Sequence, residues 1–456
     1  MLGAALTSGG EFAEVFVENR KSSSARLDDR RVESVTSSHD RGAGIRVVVG
    51  ETTGFAHTAD LSEAGLRDAA QAAAAAARGG GGGTRTVDLT RRTVESRIHA
   101  KQRPADVPKA EKVALLARAD DAARAAGGND LKQVMAVYQD VNRRILVANS
   151  DGLLAEDDQT RILFMVQAVA AGDTGMQTGY QSMGVTRGFE VFNDKPVEDI
   201  AREAVRQALV KLKARPAPTG EMTVVIPKGS GGVLFHEACG HGLEADLVAK
   251  DSSVYRGKVG ELVASPLVTM VDDATIAHEW GTFSIDDEGK PASSNVLIQD
   301  GVLTDYMWDF LRARKEKRES SGNGRRQTYQ HLPMVRMTNT SVMNGTEDPD
   351  AIIRDTESGV YVAALGGGQV NTATGDFVFG MNEAYLIEKG EITEPLRTAN
   401  LIGNGPDVLR NIDVVGNDWD IGRPGMCGKD GQSVPVGHGN PTLRVTRITV
   451  GGTANG

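Results

Sequence analysis

The order of helix-forming and strand-forming segments is the strongest constraint on the fold of this chain. In the first half, strand-like segments at 13–19, 32–38, 44–50 and 52–58 are followed by helical patterns and further strands. The sequence beyond residue 220 is strand-rich and interrupted by glycine to its end. Glycine occupies 54 of the 456 positions, above the usual share of about 7%. This order predicts an α/β (α+β) protein with an N-terminal α/β domain, a middle α+β domain and a β-rich C-terminal domain.

Three segments have the features of helices and set the predicted domain boundaries. Residues 61–78 are rich in alanine, the best helix former, and the five glycines at 79–83 predict a flexible joint after them. Residues 108–127 and 196–214 are amphipathic, and each begins with a proline, which suits the first helical position. A proline-containing segment at 215–220 then suggests a boundary. We therefore expect domains at residues 1–107 (with a linker), 108–219 and 220–456.

Composition argues against several classes of function. Lys and Arg number 51 against 61 Asp and Glu, a net charge of −10, which disfavours nucleic-acid binding. No stretch has the roughly 18 uninterrupted apolar residues of a membrane span, and the N-terminus lacks a secretory signal pattern. The two cysteines, Cys239 and Cys427, cannot form a disulfide framework. We expect a cytoplasmic protein that binds neither nucleic acid nor membranes.

The segment around residues 236–241 is the best candidate for a catalytic site. His236, Glu237 and His241 form H-E-x-x-x-H, which is one residue longer than the H-E-x-x-H of zinc peptidases. Positions i and i+5 lie roughly 140° apart on a regular helix, so the two imidazoles cannot share an ion there. We therefore expect the helix to bulge or break near Gly240, where no Cβ opposes the distortion.

A third metal ligand must come from elsewhere, because a catalytic zinc has about three protein ligands and one open position. The best candidate is Cys427, a soft donor flanked by glycine, and Glu237 would then act as general base in peptide hydrolysis. Three alternatives stay open: a surface histidine pair without metal, Cys239 as a further ligand, and a disulfide between the cysteines. Cys239 is more typical of a small buried apolar residue. Glu244 or Asp246 would orient a ligand imidazole or lie at a solvated helix end.

Two further segments are candidates for substrate contact. Tyr329 or His331, within residues 323–340, would donate a hydrogen bond to a tetrahedral oxyanion, or else belong to a hydrogen-bonded loop. Gly367 and Gly368 would form an open strand edge to which an extended peptide adds, or a glycine bulge at a sheet corner.

Several long motifs resemble those of the TldD subunit of the TldD/TldE (PmbA) metallopeptidase family. They include HEACGHGLEADL, GNGRRQTYQHLPMVRMTNT, CGKDGQS and PTLRVTRITVGG, and the resemblance covers nearly the whole chain. It implies one Zn²⁺ per catalytic subunit, bound by His236, His241 and Cys427, with Glu237 as the catalytic carboxylate. It also implies cleavage of unfolded or short peptides, including the maturation or degradation of precursors. The partner would be a TldE/PmbA-like subunit or a second copy of the chain.

A non-catalytic alternative remains in which the chain is a peptide-binding scaffold subunit with a structural metal. A closed fourth protein ligand, such as Cys239 or Asp246, would favour this alternative, because structural zinc sites leave no position for water. Older names in the family also suggest a modulator of a DNA enzyme, which the acidic composition does not support.

Overall fold

The computed structural model describes residues 1–7, 9–77, 86–173, 175–397 and 399–452. It confirms the predicted α/β (α+β) class. The glycine run at 79–83, predicted to be a flexible joint, lies outside the described residues. Within the described ranges, no helix is both long enough and apolar enough to cross a membrane.

The first half of the chain builds one sheet with helices packed on it. The strands are β1 Phe12–Asp28, β2 Arg31–Val49, β3 Thr52–Thr58, β4 Thr90–Arg91, β5 Leu131–Asn149, β6 Leu153–Gly172 and β7 Gly175–Val185. The helices are α1 Leu2–Ala5, α2 Glu63–Ala76, α3 Lys109–Gly127, α4 Val191–Asp194 and α5 Val197–Leu212, with short 3-10 helices at Pro104–Asp106 and Gly128–Asp130. The strand order is β3-β2-β1-β5-β6-β4, with β7 also paired to β6, and all pairs are antiparallel except β4 with β6.

Strands from both sides of the predicted boundary at residues 107 and 108 belong to this sheet. β1 pairs with β5 from Glu14 opposite Asn149 to Asp28 opposite Met135. The N-terminal and middle segments therefore share their central backbone hydrogen bonds, and the three-domain division stays a prediction.

The strand patterns predicted before residue 60 merge into fewer and longer strands. Asp29 and Arg30 have φ values of 45° and 68° and form a two-residue turn between β1 and β2. A two-residue turn with positive φ at both positions matches the right-handed twist of paired strands. The polar residues on either side therefore continue as a long hairpin.

The helices α3 and α5 begin one residue later than predicted. Pro108 and Pro196 have ψ values of 140° and 136°, which are extended, so each proline precedes its helix as the N-cap residue. The two helices cover one face of the sheet, where Leu116, Ala119 and Ala204 are fully buried.

The second half of the chain contains the remaining strands and short helices. The strands are β8 Gly220–Ile226, β9 Met270–Asp273, β10 Ser294–Gln299, β11 Val302–Leu303, β12 Gly324–Arg325, β13 Met334–Val335, β14 Asn339–Val342, β15 Ser358–Val370, β16 Asp376–Glu388, β17 Glu391–Leu396, β18 Ala399–Asn404, β19 Ile412–Val415, β20 Asp420–Ile421, β21 Gly425–Lys429, β22 Gln432–Asn440 and β23 Leu443–Gly452. The helices are α6 Gly232–Ala238, α7 Ala245–Ala249, α8 Phe310–Lys315, α9 Pro349–Arg354 and α10 Gly405–Arg410, with a 3-10 helix at Gly240–Leu243.

These strands form two large sheets and the small pair β12–β13. One sheet has the order β11-β10-β9-β14-β22-β20, with β21 paired to β22. The other has the order β15-β8-β23-β18-β16-β17, with β19 paired to β23, and a further pairing of β15 with β16 closes five of its strands into a ring. Helix α6 follows β8 and contacts β15 of the ring and β14 and β22 of the other sheet. The side chains of Leu234 and Phe235 are fully buried there.

Candidate metal centre

The predicted interruption near Gly240 is confirmed as a break between two helical segments. Helix α6 ends at Ala238, Cys239 takes φ −124° and ψ −49°, and the 3-10 helix begins at Gly240. A Cβ on residue 240 would overlap the sulfur of Met337, so this close approach requires glycine. The break brings the rings of His236 and His241 to a centroid distance of 5.3 Å, with their planes 83° apart.

Three of the predicted ligand side chains come together in the folded chain. One nitrogen of His236, one of His241 and the sulfur of Cys427 lie within 4.8 Å of one another, and all three residues are buried. Cys427 Sγ lies 3.2 Å from His241 Nε2. Cys427 is on β21, and the guanidinium of Arg336 donates to its carbonyl oxygen, which holds this strand against the site. Both cysteines are free and both histidines are buried, so the disulfide and surface-pair alternatives are wrong.

The electrostatics of these side chains fit a metal site. Both ring nitrogens of His236 are buried without a hydrogen-bond partner among the described residues, an arrangement that is costly unless the imidazole binds something. Burial raises the pKa of the Cys427 thiol, but the imidazoles of His236 and His241 outweigh burial and lower that pKa to about 4. The thiolate is therefore favoured, and it is the form that binds metal.

Glu244 orients one of the imidazoles. Its side chain is fully buried, and its Oε2 lies 2.9 Å from His241 Nδ1. The ammonium of Lys429 donates to Glu244 at 2.9 Å and to Asp246 at 2.7 Å. Burial raises the pKa of Glu244, but Lys429 and His241 lower it to about 2. Of the two interpretations of Glu244, orientation of a ligand imidazole is the one that this contact matches.

An open cavity of about 830 Å³ adjoins the three side chains, and His236, Glu237 and Cys427 lie on its wall. Glu237 is partly exposed, and its Oε2 lies 3.6 Å from His241 Nε2. The predicted glycines Gly367 and Gly368 line the same cavity. They lie on β15 where its register with β16 shifts, so this part of the strand is also a bulge.

Tyr329 and His331 are not among the described residues that line this cavity. The ring of Tyr329 occupies the space beside Gly42, and its hydroxyl donates to Asp40 at 3.3 Å. His331 Nδ1 lies 2.9 Å from the hydroxyl of Thr328. Tyr329 thus anchors its loop to the hairpin of β1 and β2. The predicted contact of these two residues with an oxyanion stays a prediction.

Cys239 and Asp246, the two candidates for a fourth ligand in a structural metal site, have other partners. Cys239 is buried beside Tyr255, and burial raises the pKa of its thiol to about 12, so it stays a neutral apolar side chain. Asp246 is paired with Lys429. Within the described part of the chain, His236, His241 and Cys427 are the group close enough to share one ion.

Sequence reasoning missed Lys429, and it favoured a loop position for His438, whereas His438 lies on β22. His438 is buried on β22, lines the cavity, and has an Nδ1 without a partner in the described chain. Burial, aided by the nearby His236, lowers the pKa of His438 to about 3, so the ring is neutral. The available signal was the period-two pattern of β22, where Val434, Val436 and His438 share one face.

Comparison with known proteins shows a match along the whole chain. The PmbA/TldA metallopeptidase models match as domain 1 at residues 13–77, as central domain at 102–212 and as C-terminal domain at 219–452. A metalloprotease TldD homolog of Haemophilus influenzae is 41% identical over 451 residues, covering 97% of this chain and 93% of that protein. A metalloprotease of Methanothermobacter thermautotrophicus is 37% identical over 443 residues, covering 97% and 96%. The fold is similar to that of TldE from Thermococcus kodakarensis, with a TM-score of 0.76 at 20% identity over 97% of each chain.

Proposed function

The chain belongs to the TldD (PmbA/TldA) family of metallopeptidases, and on that premise we propose that it is a zinc-dependent peptidase that hydrolyses unfolded or short peptides. The observation that carries the proposal is the meeting of two imidazoles and a thiolate within 4.8 Å at an open cavity, with Glu237 on the same wall. In this function the chain would mature or degrade peptide precursors.

His236, His241 and Cys427 would hold the ion. A set of two nitrogen ligands and one sulfur ligand suits zinc and leaves a position open, as catalytic zinc sites require. When bound, the zinc supplies a Lewis acid that polarises a peptide carbonyl.

The chain's own residues would supply the proton transfers and the substrate contacts. Glu237 is partly exposed at the cavity, where its carboxylate would take a proton from the attacking water and pass it to the leaving amine. Glu244 accepts a hydrogen bond from His241 Nδ1 and so keeps Nε2 directed towards Cys427. The bulge at Gly367 and Gly368 would offer main-chain groups to an extended peptide. Main-chain contacts of this kind depend little on the side chains of the peptide, so they would give the low sequence specificity that suits unfolded and short peptides as substrates.

We further propose that the chain is the catalytic subunit of a dimer. The partner would be a TldE/PmbA-like subunit, for which the likeness of fold to a TldE gives support, or a second copy of this chain. A cytoplasmic location fits the need for Cys427 as a free thiolate, because that compartment keeps thiols reduced.

The test combines metal analysis with the substitution Glu237→Ala. We expect the native protein to contain one zinc per chain and to cleave a denatured, carboxymethylated protein substrate. The variant should keep its zinc but lose cleavage by about 10²- to 10⁴-fold, the usual contribution of a general base. Glu221→Ala is the matched control, since Glu221 is an exposed carboxylate at the start of the same C-terminal segment. Protein without stoichiometric zinc, or a Glu237→Ala variant with native activity, would refute the proposal. Isolation from the native cell identifies the partner subunit.

A further inference from the structure

A second cavity, of about 200 Å³, lies beside the β21–β22 hairpin that carries Cys427. Its walls come from the central strands β1, β5 and β6, the loop around Phe283, the segment at Arg325 and the hairpin itself. Side chains alternate along a strand, so Met426 points away from the face of Cys427. Met426 lines both this cavity and the cleft at the metal centre. Met426 is thus the exposed side chain that the two linings have in common.

Three arginines on the wall of this second cavity lack an acidic partner. Arg161 and Arg325 are 6% and 4% exposed. Arg161 donates to two backbone carbonyls and to the side-chain carbonyl of Gln159, and Arg325 donates to two backbone carbonyls. Arg20 is half-buried. Within the described ranges of the chain, none of the three has a carboxylate oxygen within 4.0 Å, and the Arg20 side chain makes no hydrogen bond.

The acidic residues of the same wall are already bound. Asp140 pairs with the buried Lys112 at 2.6 Å, and Asp287 pairs with Arg143 at 2.7 Å. Asp286 accepts hydrogen bonds from three backbone N–H groups, and burial raises its pKa to about 7. Five arginines and three aspartates line the cavity, and Arg143 and Arg326 also pair with Glu18 and Glu14, which do not line it. Arg20, Arg161 and Arg325 are thus the lining cations that have no acid in an ion pair within the described chain.

An enclosed group of like charges is costly unless an anion joins it. Burial and the neighbouring guanidinium groups lower the pKa of Arg161 to about 9 and that of Arg325 to about 10. Val141, Phe283 and Pro435 form an apolar part of the wall. A ligand with a carboxylate and a few methylene groups would match both parts of this surface, and the cavity is large enough for one amino-acid side chain or chain end.

We propose that this cavity is a subsite for a carboxylate of the peptide substrate, held by Arg20, Arg161 and Arg325. The inference rests on the proposed peptidase function, since a peptide at the metal centre would reach the cavity by passing Met426. Arginine suits this task because its planar fork can bind both oxygens of a carboxylate. The carboxylate would belong either to a Glu or Asp side chain or to the free C-terminus of the peptide.

Binding of three synthetic pentapeptides distinguishes the two sources of the carboxylate. The first is acetyl-Ala-Ala-Glu-Ala-Ala-amide, the second is acetylated penta-alanine with a free C-terminus, and the third is the same penta-alanine as its amide. Titration calorimetry is done on zinc-loaded Glu237→Gln protein, in which cleavage is suppressed. We expect the first or the second peptide to bind about 10- to 100-fold more tightly than the third, as for one charge-assisted contact.

Variants of the cavity test whether the arginines cause this preference. Arg20→Gln removes a cation that makes no hydrogen bond in the described chain, and Arg325→Lys keeps the charge but loses the fork. Both should reduce the preference to within about threefold. Arg31→Gln, at the exposed tip of the same β1–β2 hairpin, should leave it intact.

Three results would overturn the inference. Equal binding of all three peptides, or a preference that survives Arg20→Gln and Arg325→Lys, excludes a carboxylate subsite in this cavity but leaves the peptidase proposal standing. Inorganic phosphate that binds as tightly as the best peptide would assign the cavity to free anions. If no peptide binds, the subsite is rejected, and cleavage of denatured protein by the native enzyme then decides separately whether the proposed function also fails.

Discussion

The substitution Glu244→Gln should weaken zinc binding about 10- to 100-fold, the usual effect of losing a carboxylate behind a ligand histidine. Glu244 Oε2 lies 2.9 Å from His241 Nδ1, and His241 Nε2 lies 3.2 Å from Cys427 Sγ. The carboxylate accepts a hydrogen bond from the Nδ1–H group and so keeps the lone pair of the ring on Nε2. A glutamine can present its NH₂ group instead, and it lacks the negative charge that makes the imidazole a stronger donor.

The expected weakening corresponds to about 1.4 to 2.7 kcal/mol of binding free energy. The loss of folding stability should be smaller than the 3–5 kcal/mol typical of a buried charge left alone. Lys429 would keep its contacts with Asp246 at 2.7 Å and with the carbonyl of Val335 at 3.0 Å. The variant should therefore fold, and its zinc affinity can be measured.

Competition with a chromophoric chelator gives the zinc affinity of the folded proteins. Asp246→Asn is the matched control, because it also removes a carboxylate from Lys429 but makes no contact with His241 in the described structure. The reasoning fails if Glu244→Gln binds zinc within twofold of the native protein. It also fails if Asp246→Asn weakens binding equally, since the effect would then come from Lys429 and not from the imidazole.

Three further predictions concern other parts of the chain. Burial raises the pKa of Glu279 from 4.5 to about 7, so the folded state binds more protons than the unfolded state between these values, and folding stability falls as the pH rises through them. Thermal melting should therefore show that Glu279→Gln raises the free energy of unfolding by about 1–3 kcal/mol at pH 8 and leaves it unchanged at pH 4. Gly240→Ala should cost about 1–3 kcal/mol by overlap with Met337 and lower zinc affinity, and adding Met337→Ala should restore part of both, in melting and chelator assays. In zinc-free protein at pH 6, iodoacetamide should modify Cys427 in preference to Cys239, because their pKa values are about 4 and about 12, and zinc should prevent the reaction; mass spectrometry that finds Cys239 modified first would contradict this.

The parts of the candidate site that sequence could predict are those fixed by local geometry. His236 and His241 are five residues apart, so two imidazoles that share one ion require a break in the helix near Gly240, and the break is present. Cys427 could be predicted as the third metal ligand because the chain has only two cysteines. Its approach to His241 depends on the pairing of β21 with β22, which joins residues that local spacing does not relate. The long β1–β2 hairpin was predicted only in pieces, because its polar middle lacks the alternation that marks a half-buried strand.

The segment at residues 323–340 shows why residue type alone did not reveal roles. Sequence reasoning predicted a substrate contact for Tyr329 or His331, or else a hydrogen-bonded loop, and it did not distinguish the arginines of the segment, which the structure places in three different environments. Arg326 pairs with the buried Glu14 of the N-terminal sheet, Arg336 holds the backbone of Cys427, and Arg325 lines the cationic cavity. The segment thus connects the N-terminal sheet to the strand that carries the thiolate. A change at Arg336 should therefore disturb the metal centre without touching the ion, because the side chain acts on the position of β21.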